Sequence, residues 1–261
     1  MQKRELKQQW IFLNKMTKKE DQQKRKKPKK SEERIEKVIV FDASTLISLS
    51  MNGLYPELKK LREDFDGKFI ITKDVWHEII EKPLGIKKFE LEALKAKALL
   101  EEGVLELPNS VGITQKQLSK KTNTLLKKAN NIYKQKNKKS VEIIHKGEAS
   151  AIALIRELEK KGISCLLAID ERTTRMLIEK PKELQNYLKR KLHTNLKLDK
   201  SNFKPFRNIK VIRSSELVYI AFKKDLVRLK DGERVLDALL YGVKFKGCAI
   251  SSDEIKKIKK I

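Results

Sequence analysis

Two apolar runs that each end at an aspartate most constrain how this chain can fold. The runs are 38–41, followed by Asp42, and 165–169, followed by Asp170. Short continuous apolar runs are typical of strands buried on both faces, as in a parallel sheet covered by helices. The same pattern predicts strands at 68–71, 104–107 and 209–212.

Helical segments alternate with these strands. Thr72 is a suitable N-cap for a helix that ends before Pro83, and Gly103 and Gly162 are suitable C-terminal stops for two others. Strands that alternate with helices indicate an α/β fold with a parallel sheet. The predicted helices are 43–49, 72–81, 89–102, 148–160, 171–179, 214–222 and 231–241.

The charge of the chain is concentrated outside this alternating body. The chain has 61 Lys and Arg against 35 Asp and Glu, a formal net charge of +26. The surplus lies in 1–37, 108–146 and 180–213. Because a polyanion relieves the self-repulsion of such segments, we expect a nucleic-acid backbone as partner, with an anionic membrane surface as the competing one. We therefore divide the chain into a basic N-terminal arm (1–37), a body (38–252) with partly helical basic insertions at about 108–146 and 181–208, and a basic C-terminal tail (253–261).

Several protein classes are excluded or disfavoured by the sequence. No uncharged run approaches the roughly 18–20 residues needed to span a bilayer, and no secretory signal is visible. Cys165 and Cys248 lie in apolar stretches, which favours buried thiols in a reducing cytoplasm over a disulfide or a zinc site. The chain also has no glycine-rich phosphate loop and no histidine in a recognisable nucleophile motif.

Four acidic residues are candidates for a shared site. Asp42 and Asp170 follow strands, and the carboxyl ends of parallel strands meet at one rim of a sheet, where ligands of such folds bind. On neighbouring strands they would lie about 5 Å apart and would need a neutralising cation or a shared proton. Glu78 and Glu148 lie on helices that could complete the cluster. Oxygen ligands suit Mg²⁺ or Mn²⁺, although each acid taken alone also fits a helix cap or a surface charge.

These acids occur within motifs that resemble a known family. In chain order the motifs are Asp-Ala-Ser-Thr-Leu-Ile from Asp42, Val-Trp-His-Glu-Ile around Glu78, Gly-Glu-Ala-Ser-Ala-Ile-Ala around Glu148, and Ile-Asp-Glu-Arg-Thr-Thr-Arg around Asp170. Together they resemble the PIN domain, over roughly 38–107, 141–180 and 209–252. The resemblance implies an α/β three-layer αβα sandwich with a mostly parallel central sheet, and a metal-dependent ribonuclease activity.

The resemblance also implies roles for individual residues. It implies a Mg²⁺ or Mn²⁺ site formed by Asp42, Glu78, Glu148 and Asp170. Ser44 would lie in the pocket and hydrogen-bond a carboxylate or a water. Glu148 departs from the family pattern, because many members have aspartate there. Glu171 would be an outer metal ligand, and two arginines would contact RNA phosphate, Arg172 and Arg175.

The function expected from the resemblance is cytoplasmic, metal-dependent hydrolysis of RNA phosphodiester bonds, with the basic additions holding the RNA backbone. The RNA would be single-stranded or structured, with ribosomal RNA as one option. Two alternatives stay open: an RNA-binding or ribosome-associated protein with weak or no catalysis, and a toxin-like ribonuclease controlled by an antitoxin. The chain could also form a homodimer or bind a protein partner.

Overall fold

A four-stranded sheet forms the centre of the molecule. The computed structural model describes residues 37–135 and 140–260. The strands of this sheet are β1 (Lys37–Phe41), β2 (Lys68–Ile71), β4 (Ser164–Ala168) and β6 (Val211–Ile212), and a separate antiparallel pair joins β3 (Tyr133–Gln135) to β5 (Leu196–Leu198). The strands of the sheet lie in the order β2-β1-β4-β6, and every pairing between them is parallel. The predicted α/β class and the predicted parallel sheet are thus confirmed.

Helices surround the sheet. They are α1 (Ala43–Met51), α2 (Tyr55–Asp64), α3 (Lys73–Trp76), α4 (Glu90–Glu101), α5 (Gln115–Ala129), α6 (Lys146–Lys160), α7 (Arg172–Glu179), α8 (Pro181–Lys191), α9 (Ser214–Lys223), α10 (Gly232–Phe245) and α11 (Ser252–Ile258). The path of α3 continues through a π-helical turn, His77–Glu81, and a short turn, Lys82–Leu84. Among the described helices, none is both long and apolar enough to cross a membrane.

Alternation along the strands divides the core between the two faces of the sheet. Phe41 and Ala168 belong to a cluster that includes side chains of α1, α9 and α10. Val40 and Ile169 belong to a second cluster that includes side chains of α5, α6 and α7. Successive side chains of an extended chain point to opposite faces, so a sheet between two helical layers produces this division. The arrangement is compatible with a three-layer sandwich.

Some segments differ from the sequence-based expectation. The predicted strand 104–107 is wrong: its only ladder contact within the described residues is a bridge between Ile70 and Glu106, and the following Pro108 has no N–H to extend the pairing. The predicted tail 253–261 is not a tail over its described part, because α11 buries Ile255 and Ile258. Helix α2 was not predicted.

The basic insertions are largely ordered elements. The segment 108–146 contains α5, which packs against α6, and β3. The segment 181–208 contains α8, β5 and two short 3₁₀ turns. The β3–β5 pair joins the two insertions to each other. The predicted N-terminal arm lies outside the described residues, except for Lys37 at the start of β1.

Candidate acidic site at the carboxyl edge of the sheet

Asp42 lies where β1 ends and α1 begins. Its Oδ2 atom accepts hydrogen bonds from the backbone N–H of Ser44 at 3.0 Å and from the Ser44 hydroxyl at 2.6 Å. The Ser44 Oγ atom in turn accepts from the backbone N–H groups of Asp170 at 3.0 Å and Glu171 at 3.2 Å. Ser44 therefore links the ends of β1 and β4.

Asp42 and Glu78 converge on Gly147. A β-carbon built on Gly147 would lie 2.8 Å from Oε2 of Glu78 and 3.8 Å from Oδ1 of Asp42. The glycine therefore leaves room for the Glu78 carboxylate, whereas the distance to Asp42 is an ordinary van der Waals contact. Glu78 is exposed and lies in the π-helical turn, a type of helix irregularity that is frequent at functional sites.

Short side chains bring α6 close to the sheet and to α3. Ala149 and Ala151 are fully buried, and the hydroxyl oxygens of Thr72 and Ser150 lie 2.5 Å apart, which ties the start of α3 to α6. The buried Glu148 in the first turn of α6 accepts a hydrogen bond from the backbone N–H of His145 through Oε2, at 2.9 Å. Helix α6 thereby carries Glu148 to the pocket that contains Asp42.

Glu171 lies at the start of α7 and uses one carboxylate oxygen as a helix cap. Its Oε2 atom accepts from the backbone N–H of Thr174 at 2.5 Å. Asp42 and Glu148 show the same pattern, since each uses a single oxygen in the local bonds at its helix start. Three helix N-termini therefore each present an acid whose second oxygen takes no part in that cap.

Asp170 faces a different direction. In the register of β1 and β4, Phe41 lies opposite Ala168, so Asp42 is next to Ile169 and Asp170 comes one residue later. Alternation then directs Asp170 toward the other face of the sheet. There it is fully buried, and its two oxygens accept from the backbone N–H of Ser214 at 2.8 Å and the Ser214 hydroxyl at 2.6 Å. The structure brings together Asp42, Glu78 and Glu148 but directs the Asp170 carboxylate away from them.

The electrostatics of the pocket show an excess of negative charge. Burial, and then the negative charge of Glu148, raise the pKa of Asp42 to about 7. Although the Glu78 residue as a whole is exposed, desolvation of its carboxyl group, and then the charge of Asp42, raise its pKa. Burial raises the pKa of Glu148, and the charge of Glu171 adds to this effect. Burial is the largest cause of each shift, and repulsion among the acids adds to it, so a bound cation would be favoured there.

The two arginines expected at an RNA phosphate are engaged in local contacts. The guanidinium of Arg172 lies 4.9 Å from the centre of the Tyr187 ring. Arg175 donates through Nη2 to the backbone carbonyl of Ala249 at 2.8 Å and lies 3.6 Å from Glu179. Arg175 thus connects α7 to the segment that follows α10. The phosphate-contact role of both residues stays a prediction.

The donor chemistry of the site fits a hard divalent cation. Four carboxylates, Asp42, Glu78, Glu148 and Glu171, lie at or around the pocket, and oxygen-only ligand sets suit Mg²⁺ or Mn²⁺. Within 37–135 and 140–260, however, no group of three or more His, Cys, Asp or Glu side chains is already arranged to hold a metal ion. Occupation of the site would therefore require side-chain rotation, which is easiest for the exposed Glu78.

Comparisons of the chain with protein-family models, with curated proteins and with solved structures found no match. Two residues that matter at the site were not singled out from the sequence, Gly147 and Ser214. Gly147 lies in the motif around Glu148. Ser214 could be recognised as the partner of Asp170 only from the tertiary structure, because the two residues are 44 positions apart along the chain.

Proposed function

We propose that this chain is a PIN-like, Mg²⁺- or Mn²⁺-dependent endoribonuclease. The observation that carries the proposal is the convergence of Asp42, Glu78 and Glu148 at the carboxyl edge of a parallel sheet, where burial, and then the negative charge of Glu148, raise the pKa of Asp42 to about 7. A bound cation would stabilise the ionised forms of these three acids. When bound, such a cation would activate water and stabilise the leaving oxygen of a phosphodiester.

We further propose that Glu171, and not Asp170, supplies the fourth carboxylate. Asp170 is fully buried on the other face of the sheet, where both of its oxygens accept hydrogen bonds from Ser214, whereas Glu171 has one oxygen outside its helix cap. Asp170 then acts as a positioning residue, because it fixes the start of α9 against the end of β4. Ser44 positions the backbone of Glu171 and the carboxylate of Asp42.

The cleavage test compares wild type with Asp42→Asn on labelled RNAs and on single-stranded DNA, with Mn²⁺ or with a chelator. Mn²⁺-dependent cleavage of RNA by wild type, lost in Asp42→Asn, is the expected result. Absence of cleavage, or equal cleavage by the variant, would contradict the nuclease proposal.

The ligand test measures Mn²⁺ binding by calorimetry and by the electron paramagnetic resonance of the free ion. Glu171→Gln should bind Mn²⁺ more weakly than wild type, while its neighbour Asp170→Asn serves as the matched control and should bind as wild type does. The reverse order of affinities would show that Asp170 is the ligand. Thermal unfolding of both variants separates a lost ligand from a lost fold.

A second function is favoured by one observation. The described residues contain no group of three acids already arranged around a metal position. An RNA-binding protein that retains the fold without catalysis would show this property. Tight RNA binding without measurable Mn²⁺ binding would support that alternative.

A further inference from the structure

Helix α5 presents an exposed face of lysines. Its buried side is formed by Leu118, Thr122, Leu125 and Ala129. Its exposed side carries four lysines, and α5 itself contains no Asp or Glu. Lys121, by contrast, lies on the inner side and pairs with Glu157 of α6. Within the described part of the chain, no ion pair involves the four exposed lysines, Lys116, Lys120, Lys127 and Lys128.

The β3–β5 pair starts at the C-terminal end of α5, where the backbone N–H of Ile132 donates to the Ala129 carbonyl, and it carries two more lysines. Lys134 lies directly opposite Lys197 in the antiparallel register, and like charges at such positions destabilise a strand pair. Asp199 lies 3.5 Å from Lys134, which relieves the repulsion only in part. Tyr133 and Leu196 are buried beneath, so alternation places both lysines on the outer side. We name the set Lys116, Lys120, Lys127, Lys128, Lys134 and Lys197 the basic wall.

The basic wall leads to the acidic pocket. Helix α5 runs antiparallel to α6. The carbonyl of Gly112, before α5, accepts a hydrogen bond from the Lys161 side chain at the end of α6. At the other end, Asn130, after α5, binds the segment before α6. The Asn130 side chain accepts from the backbone N–H of Ile144 at 3.1 Å and donates to the Ile144 carbonyl at 3.1 Å. The next residue, His145, donates its N–H to the carboxylate of Glu148. The C-terminal end of α5, which carries Lys127 and Lys128, therefore lies next to the segment that leads into α6 and Glu148.

The chemistry of the wall identifies its partner. We infer that the basic wall binds the phosphate backbone of an RNA strand and guides it to the acidic pocket, an inference that rests on the proposed function. Lysines bind phosphate as point charges. No large exposed hydrophobic side chain of the described residues lies on α5 or on the β3–β5 pair, so the wall lacks the apolar side chains of a membrane-binding face and the aromatic rings that stack on bases. Binding is therefore independent of base sequence and sensitive to salt.

The test measures RNA affinity without cleavage. All proteins carry Asp42→Asn and are assayed in chelator by fluorescence anisotropy with a labelled single-stranded RNA of mixed sequence. The wall variant is K120Q/K127Q/K128Q, since glutamine has a helix propensity close to that of lysine. The control variant K87Q/K95Q/K97Q removes the same charge from exposed lysines that are already paired with acids.

The expected result follows from counterion release. Each lost phosphate contact on a single strand reduces the salt slope by about 0.7, so the wall variant should bind about 100-fold more weakly at about 0.1 M salt. Its slope should fall by about 2, while the control variant changes little. Lys197→Gln should weaken RNA binding about 5-fold without lowering the melting temperature, because it also removes a like-charge contact.

Two outcomes would overturn the inference. One is equal RNA affinity of the wall and control variants, which would leave a metal-dependent nuclease with a different RNA surface. The other is binding of the parent protein to anionic phosphatidylserine vesicles with no binding to RNA. If the wall variant binds RNA more weakly than the control variant but the wild-type protein never cleaves RNA, the result would support RNA binding by the basic wall and contradict the nuclease proposal.

Discussion

The charge on Asp42 is expected to destabilise the metal-free protein at neutral pH. Burial and Glu148 raise the pKa of Asp42 from 3.8 to about 7. The folded protein therefore keeps a proton that the unfolded chain releases between these values. The stability that this proton contributes is fully present below about pH 4 and is lost as pH rises through 7. A difference of about 3 pKa units corresponds to roughly 4 kcal/mol.

Asp42→Asn should remove the destabilisation that an ionised Asp42 causes at neutral pH. A single oxygen of Asp42 accepts both bonds from Ser44, so the asparagine carbonyl can keep them, and asparagine is as good an N-cap as aspartate. The amide nitrogen would then occupy the position of Oδ1, beside Glu78. After subtraction of about 1–2 kcal/mol for weaker, uncharged bonds, we expect the variant to be about 2–3 kcal/mol more stable at pH 8.

The assay is thermal and urea unfolding in chelator from pH 5 to pH 8. The melting temperature of Asp42→Asn should exceed that of wild type by roughly 4–12 °C at pH 8, and the difference should shrink toward pH 5. Asp66→Asn is the control, since the Asp66 side chain is 73% exposed and its loss should matter little at either pH. A variant no more stable than wild type at pH 8, or a difference independent of pH, would refute the reasoning.

Three further predictions concern the same edge of the sheet. Added Mn²⁺ should raise the melting temperature of wild type but not of Asp42→Asn, because a ligand of the folded state stabilises it by mass action. Gly147→Ala should weaken Mn²⁺ binding in calorimetry without lowering the melting temperature, since its β-carbon would lie 2.8 Å from the flexible Glu78 carboxylate and displace it; unchanged binding would count against the pocket. Ser214→Ala should destabilise the fold by about 1.5–3 kcal/mol in urea unfolding, because the buried Asp170 carboxylate loses a charge-assisted bond; an unaffected midpoint would contradict its positioning role.

Much of the fold could be predicted from local patterns. The strands at 38–41, 68–71 and 165–169 are continuous apolar runs, and the structure confirms them within one residue at either end. The Thr72 cap is also confirmed, as its hydroxyl accepts from the N–H of Val75 at 3.3 Å. Helix α11 was missed because 253–261 is rich in lysine, although Ile255 and Ile258 recur at the helical spacing and are buried.

The site was harder to predict than the sheet. An aspartate after a strand was assigned to the pocket in both cases, but the register of β1 and β4 decides which face each carboxylate reaches. Asp42 is next to Ile169 in the register of the two strands, so Asp170 lies one residue further along and its side chain reaches the opposite face of the sheet. Local sequence contains no information about that shift. Gly147 was present in the motif, but the distance from its β-carbon position to Glu78 depends on the tertiary packing of α6 against the π-helical turn.

The two roles that the sequence suggested for each acid do not compete in this structure. Asp42, Glu148 and Glu171 each bind a backbone N–H at the start of a helix through one oxygen. Helix N-termini favour negative charge, so these caps offset part of the repulsion among the acids. The bonds also fix the backbone from which each carboxylate extends. A helix cap is therefore the means by which an acid is held at this edge. Asp170, whose two oxygens both bond Ser214 on the other face of the sheet, supports the fold without facing the pocket.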